Sequence, residues 1–395
     1  MTSLGIPASL RRHLAPLAAA LFASAIALAG APAQAAPACP PQWQSWQDFS
    51  GHWMSDGGRI VDHDDARLRT VSEAQAYAML FALAANDRAG FDRLLDWTQD
   101  NLAQGDLTAH LPSWLWGKRD DEQWGVLDPN SASDADLWMS YDLLEAGRLW
   151  SSPRYTALGR LLAARIQREE TADLPGLGPT LLPAPHGYIP GPDSWRLNPS
   201  YAPLLVMRRL AAEPGGGTWQ ALAESGVKLV LGSAPHGFAP DWVLYRRDSG
   251  FSADPDTHGV GSYDAVRVYL WAALLAADEP QRARLVNALR PMAEAVAHDG
   301  VPPARVDTAA GTYEGSGPAA FSAALIPFLQ ASGFADASRD QALRLQAIDP
   351  QRKQGYYDRV LGLFAGGWQD GWLRFDRGGQ LQTRWNPACA AASRR

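Results

Sequence analysis

Three carboxylic acids, Glu73, Asp134 and Asp264, begin stretches that read as helices, and they are the residues of this chain best suited to chemistry. Cleaving a glycosidic bond needs two carboxyl groups in opposed states. One is protonated and donates to the departing oxygen, and the other is ionised and either attacks the anomeric carbon or deprotonates water. Each acid alone has a plainer reading, since Asp and Glu in a first helical turn stabilise the positive end of the macrodipole by about 0.3–1 kcal/mol. The surrounding aromatics favour sugar chemistry: the chain has 16 Trp and 11 Tyr, whose faces suit the C–H faces of pyranose rings.

The local motifs say how each acid is held. Ser72-Glu73-Ala74-Gln75 matches a capping box, with Ser72 as N-cap and Gln75 reaching back, so Glu73 is expected in the first turn. Ser133 or Asp134, and Ser262, are expected to cap their helices similarly. A helix N-terminus depresses a carboxyl pKa whereas a general acid needs one raised, so Glu73 must gain more from desolvation or from neighbouring acids. In Ser262-Tyr263-Asp264-Ala265-Val266-Arg267, Arg267 follows Asp264 at i+3 and can face it, holding it ionised as a base requires. Trp114, Trp116 and Trp195 fall between helical stretches and are the candidates for stacking on substrate, whereas Trp138 and Trp271 fall on helices and read as packing.

Apolar residues at three- and four-residue spacing predict helices near 72–86, 88–103, 134–149, 153–169, 199–212, 217–231, 262–277, 280–298, 318–331, 337–346 and 355–368. Alternating strand patterns are few. Between helices run long irregular stretches rich in Gly, Pro and Trp, at 104–130, 173–198, 232–261 and 300–317, of a length that binding loops have. Consecutive helix pairs with elaborated connections fit an all-α (α/α)6 barrel, a toroid with a loop-built cleft at one rim. Periodicity alone does not separate this from a solenoid. If the helices of Glu73, Asp134 and Asp264 belong to an inner ring, their N-termini share a rim and the acids converge.

Composition and the chain ends set the remaining limits. Hydrophobic content of 46% suffices for a large core, and a formal charge of -7 disfavours nucleic acid and other polyanionic partners. Arg11, Arg12 and His13, an apolar run from Leu14 to Gly30, and Ala33-Gln34-Ala35 before Ala36 have the three-part layout of an export signal, with cleavage expected after Ala35. The run is short and Ala-rich for a membrane span, so no stable insertion is expected after cleavage. Residues 36–395 then read as one domain, periplasmic or secreted. Cys39 and Cys389 lie near the two ends of that domain and are expected to bridge in an oxidising compartment. Neither the two Cys nor the spacing of the eight His suggests a metal site, and no cofactor is expected.

Gly58-Arg59-Ile60-Val61-Asp62, Ser72-Glu73-Ala74-Gln75-Ala76-Tyr77, Asn130-Ser131-Ala132-Ser133-Asp134-Ala135-Asp136, Asn198-Pro199-Ser200-Tyr201 and Ser262-Tyr263-Asp264-Ala265-Val266-Arg267 resemble, in the same order, motifs of glycoside hydrolase family 8. The likeness is strongest to members encoded with bacterial cellulose synthase and extends through Leu95-Asp96-Trp97-Thr98-Gln99, Trp114-Leu115-Trp116-Gly117-Lys118 and the terminal Cys pair. The resemblance implies an (α/α)6 barrel hydrolysing β-1,4-glucan (cellulose and cello-oligosaccharides) with inversion, and association with the cellulose synthase machinery. It implies Glu73 as general acid, Asp264 as the base that activates water, Tyr201 near that water, Arg267 bracing the base and Asp134 holding the distorted sugar. The chain departs from the family pattern at Ala74, Ala76, Ala78, Ser140 and Asp142. The Asp142 charge is expected to face solvent.

Chitosan or xylan cleavage is the substrate alternative within the same resemblance. A glycan-binding protein without catalysis would lack an essential acid, and both are present here. A polysaccharide lyase would abstract a proton with Tyr or His and neutralise a uronate with a basic cluster, which this sequence lacks.

Overall fold

The computed structural model describes residues 42–347 and 355–385, so the proposed signal segment, Cys39 and Cys389 lie outside the described residues. Among the described residues are thirteen α-helices: α1 (Gln44–Trp53), α2 (Ser72–Ala84), α3 (Arg88–Leu102), α4 (Ser133–Leu149), α5 (Pro153–Glu169), α6 (Leu204–Ala211), α7 (Gly217–Ser233), α8 (Val266–Leu274), α9 (Pro280–Ala288), α10 (Arg290–Asp299), α11 (Ala319–Ala331), α12 (Ala335–Gln346) and α13 (Tyr356–Gln369). They fall within one compact unit. No helix among the described residues is long and apolar enough to cross a membrane.

Burial sorts the helices into two layers. Every residue of α8 is buried, as is every residue of α2 except Glu73 and of α4 except Arg148, the pattern of helices enclosed on all sides. By contrast α3, α5 and α12 bury one stripe and expose the other. Helices α2, α4 and α8 join α6, α11 and the half-buried α13 in a series that touches in order, α2 to α4, α4 to α6, α6 to α8, α8 to α11 and α11 to α13. Phe364 of α13 then meets Tyr77 and Phe81 of α2 edge-on at 5.1 and 4.9 Å, which returns the series to its start. Outside them α3 lies on α2, α5 on α4, α7 on α6, α9 on α8 and α12 on α11.

Tyr77, Trp138, Trp271 and Phe364, from four different helices of that series, meet with ring centroids 5.1 to 6.2 Å apart. Each such pair contributes about 0.5–1.5 kcal/mol beyond the area it buries. At the C-terminal ends of α2 and α4 the last described segment crosses over. Tyr141 Oη donates to the Gly379 carbonyl (2.8 Å), Leu381 N–H donates to Glu145 (2.8 Å) and Trp385 Nε1 donates to the Ala84 carbonyl (3.0 Å). Gly379 permits that crossing, with φ of +80° and room for no Cβ, which would lie 2.0 Å from the Leu205 carbonyl oxygen.

The stretches read as irregular contain short antiparallel strands. One sheet joins β1 (Thr70–Val71), β2 (Leu115–Lys118) and β3 (Trp124–Asp128), and a hairpin joins β4 (Thr171–Leu174) to β5 (Gly178–Leu181). Further sheets join β6 (Ser194–Leu197), β7 (Val243–Arg246) and β8 (Gly250–Ala253), and β9 (Val260–Gly261), β10 (Arg305–Asp307) and β11 (Thr312–Glu314). Strands this short, with Trp and Gly among them, leave no alternation to read. Other differences from the sequence reading have local causes. The stretch 280–298 is two helices because Pro291, in the first turn of α10, cannot donate a backbone bond. The stretch 199–212 opens as a 3-10 turn at Pro199–Tyr201 and becomes α-helical only after Pro203. Helix α1 was not anticipated, although Trp46, Phe49 and Trp53 bury one face at helical spacing.

Candidate active site

Glu73 is the one residue of α2 that is not buried, with a side chain 18% exposed. The expected capping box is absent. The N-cap is Val71, Ser72 is already helical, and its N–H donates to the Trp114 carbonyl (2.9 Å). Gln75 turns away from the helix start to accept from Ile60 N–H (2.7 Å) and to donate to the Gly58 carbonyl (3.0 Å) and Thr98 Oγ1 (3.1 Å). It thereby ties the Gly58–Asp62 motif to the acid-bearing helix.

Asp134 lies in the first turn of α4 behind N-cap Ala132, and its Oδ1 accepts from the Ala135 N–H at 2.8 Å. Asp264 precedes α8, whose N-cap is Ala265, so the expected helix start at 262 is a turn instead. Ser262 does not cap; its hydroxyl donates to the Ala304 carbonyl (2.9 Å). Asp241 shapes the turn, accepting from the backbone N–H groups of Ser262 (2.8 Å), Asp264 (3.0 Å) and Ala265 (2.8 Å).

The three acids meet on Arg267, which is 2% exposed. Its Nη1 donates to Glu73 Oε2, to Asp134 Oδ2 (3.1 Å) and to Tyr77 Oη (3.4 Å). Its Nη2 donates to Asp264 Oδ1 (2.8 Å) and Ser200 Oγ (3.1 Å). The arginine expected to brace one base therefore holds all three acids. Asn198 Nδ2 donates to the other oxygen of Asp264 (3.3 Å), and Asn198 is itself fixed by accepting from the N–H and hydroxyl of Ser200. The Tyr201 ring stands 5.8 Å from the guanidinium.

Burial acts unequally on the three acids. Burial raises the proton affinity of Glu73, opposed by Arg267 and reinforced by Asp264. Burial likewise pushes Asp134 up to about 7, against the pull of Arg267 and the Ala135 N–H. Asp264 is the most open of the three, with a side chain 33% exposed. Asp241 is raised to about 6 by burial and by facing Asp264, with its three backbone donors opposing.

The aromatic candidates divide. Trp114 joins two acid-bearing helices through its backbone, donating to the Asn130 carbonyl (2.7 Å) while accepting from Ser72. Trp116 on β2 stacks on Trp124 (5.3 Å, 10°), with the Arg59 guanidinium 4.3 Å from its ring. Trp195 does not present a face. It is buried in a second core with Leu174, Leu197, Leu229, Val243 and Tyr245, because β6 turns its side chain inward. A platform the sequence reading missed is Trp242 stacked on Tyr188 (5.5 Å, 6°) and 6.0 Å from Tyr201. Asp241 and Ser200 were also missed: Asp241 acts only on backbone N–H groups of a distant turn, whereas the Asn198-Pro199-Ser200 turn pattern was visible. Asp142 does not face solvent. It is wholly buried, neither oxygen has a donor among the described residues, and burial beside Glu145 pushes its carboxyl well above the usual range.

Two buried carboxyls of raised proton affinity and a more open third, gathered on one guanidinium beside aromatic faces, suit acid–base attack on a carbohydrate acetal. The comparisons agree. The profile of the Glycosyl hydrolases family 8 matches residues 17–371. An endoglucanase of Escherichia coli O157:H7 is 46% identical over 355 residues, covering 88% of this chain and 93% of its own. An endoglucanase of Xanthomonas axonopodis pv. citri (strain 306) is 44% identical over 386 residues, covering 97% of this chain and 100% of its own. The crystal structure of endo-1,4-D-glucanase from Vibrio fischeri ES114 superposes with a TM-score of 0.79 at 39% identity, covering 87% of this chain and 99% of that one. The chain belongs to glycosyl hydrolase family 8.

Proposed function

We propose that the protein is an endo-acting β-1,4-glucanase that hydrolyses cellulose-type glucan with inversion at the anomeric carbon. The observation that carries the reading is the convergence of Glu73, Asp134 and Asp264 on Arg267. Glu73, inclined by burial to keep its proton, acts as general acid and protonates the departing glycosidic oxygen. Asp264, more open and held by Arg267 and Asn198, acts as base and takes a proton from water attacking the opposite face of the sugar. The water oxygen bonds to the anomeric carbon as the bond to the leaving chain breaks, so no covalent glycosyl intermediate forms. Asp134 holds hydroxyls of the distorted ring, with Tyr201 near the water. Such a cycle needs carboxyl groups about 6.5–9.5 Å apart, leaving room for that water.

The endoglucanase relatives support β-1,4-glucan as substrate, and the paired aromatics Trp116–Trp124 and Tyr188–Trp242 offer faces for its rings. The series of enclosed helices with others lying outside them supports an (α/α)6 barrel. We read residues 36–395 as one catalytic domain exported to the periplasm or beyond and working beside bacterial cellulose synthesis. The test is to incubate the purified mature protein with carboxymethylcellulose, chitosan and xylan. Oligosaccharides from the first alone, with α-anomer first by NMR, are expected. Chitosan or xylan products would move the substrate, and initial β-anomer would replace inversion with retention. Glu73→Gln and Asp264→Asn should each abolish reducing-end release while folding normally; near-normal turnover of either removes that residue from its role.

A further inference from the structure

Two carboxyl groups outside that cycle lie behind Asp134. Asp136 follows it by two residues on α4, about 200° around the helix, and therefore points away from the cleft side. Glu170 stands just past the end of α5. Both are wholly buried and within hydrogen-bond reach of each other. Both Asp136 oxygens and Glu170 Oε2 have no donor among the described residues, while Glu170 Oε1 accepts from Ser131 Oγ (2.5 Å). The nearby cations Arg165 and Arg168 pair with Glu169 instead. Two ionised carboxylates cannot stay in contact in a dry interior without a cation, so one proton between them is the arrangement that satisfies both. Burial and mutual repulsion push Asp136 well above the usual carboxyl range, and burial pushes Glu170 up to about 8.

What the pair grips is the segment that delivers Asp134. Ser131 lies three residues before that acid. The carbonyl of its neighbour Asn130 accepts from the N–H of Trp114, whose own carbonyl accepts from Ser72 at the start of α2, and Ser133 N–H donates to the Pro183 carbonyl (2.9 Å) just past the β4–β5 hairpin. We propose that Asp136 and Glu170 form a proton-sharing pair that positions Asp134 for catalysis by locking the end of α5 to the loop entering α4. The proposal rests on the sugar-holding role given to Asp134 above. With one proton shared the pair carries one negative charge, and the groups facing it are Asp134, Glu169 and the Ser131 hydroxyl. That charge raises the proton affinity of the acids in front of it.

The test uses kcat, KM and pH profiles on cello-oligosaccharides, with thermal melts as the control for folding. Asp136→Asn or Glu170→Gln supplies an amide N–H where the shared proton was, and each should stay within about threefold of wild type in kcat. Asp136→Ala and Glu170→Ala should lose kcat on the order of tenfold or more with KM little changed, because a misplaced ring-holding acid weakens the transition state more than the ground state. The double Asp136→Asn, Glu170→Gln variant removes the negative charge, so its basic limb of kcat/KM should move to lower pH. A purely structural pair would lower melting temperature without moving that limb. An unmoved limb in the folded double variant, or Asn and Ala variants equally impaired in kcat, overturns the proposal. Glu73→Gln assayed alongside separates the two readings, since activity there sinks the hydrolase site itself whatever the pair does.

Discussion

Replacing Arg267 by Lys keeps a positive charge and tests whether the fork of the guanidinium, and not charge alone, assembles the site. Nη1 serves Glu73, Asp134 and Tyr77, while Nη2 serves Asp264 and Ser200. A single ammonium can occupy one of those two positions and forfeits the other. Loss of two charge-assisted hydrogen bonds, each about 1.5–3 kcal/mol, amounts to roughly 3–6 kcal/mol before relaxation. If half of that is felt in the transition state, kcat/KM falls by about tenfold to a hundredfold, at 1.36 kcal/mol per decade. Reducing-end release from carboxymethylcellulose gives the rate, and circular-dichroism melts show whether the variant is folded. The melting temperature should also fall, because an acid left behind in a site this buried keeps its desolvation cost without its partner. A lysine variant with wild-type kcat/KM and an unchanged melt would show that the three contacts are incidental.

Asp241→Ala should lower kcat on the order of tenfold, because three backbone donors around Asp264 lose their acceptor, whereas Asp241→Asn keeps an accepting oxygen and most of the rate; equal losses would refute the positioning role. Trp195→Ala should destabilise by about 3–5 kcal/mol in denaturant titration with KM unchanged, as expected of a buried core ring. Trp242→Ala should do the reverse, raising KM for cello-oligosaccharides with little change in stability, and exchanged outcomes would mean that the two aromatics have been assigned the wrong way round. Stability should decline as pH rises from about 4 to 8: Asp134 and Glu170 hold protons in the folded state that the unfolded chain has already released, so folding binds more protons throughout that window. The loss is on the order of a few kcal/mol, and melting curves that improve across the window would contradict the protonated burial of these groups.

What the sequence disclosed and what it hid follow one physical division. Glu73, Asp134, Asp264 and Arg267 stood in short motifs at helix starts, where local spacing is informative, and their meeting could be anticipated because enclosed helices that run the same way share a rim. Asp241 gave no such signal, since its partners are backbone N–H groups of a distant turn. Trp195 and Trp242 were indistinguishable as loop tryptophans; the pairing of β6 with β7 sends one inward, while Trp242 precedes β7 and stacks on Tyr188. Asp142 was misread because carboxyls on helices are usually solvated, and only packing on every side of α4 reveals that this helix has no solvent face. The capping box failed for a related reason. With the Trp114 carbonyl, just before β2, already accepting from Ser72 N–H, Gln75 is free to anchor the Gly58–Asp62 segment.

Glu73, to which we assign the acid role, lies in the first turn of a helix, where the macrodipole favours the ionised form. Magnitudes decide the matter. The dipole is worth about 0.3–1 kcal/mol, less than one pKa unit, while burial of a carboxyl moves it by up to about 3–5 units the other way. Unchecked, that burial would push Glu73 and Asp134 further toward the neutral form. Arg267 supplies the counterweight: it opposes the rise at Glu73 and Asp134 and bonds the more open Asp264 directly. The proposed division of roles therefore rests on unequal exposure around one shared cation, and the N-terminal position serves a separate purpose. It brings acids distant in the chain together on Arg267, with Glu73 and Asp134 on helices too tightly packed to let them drift.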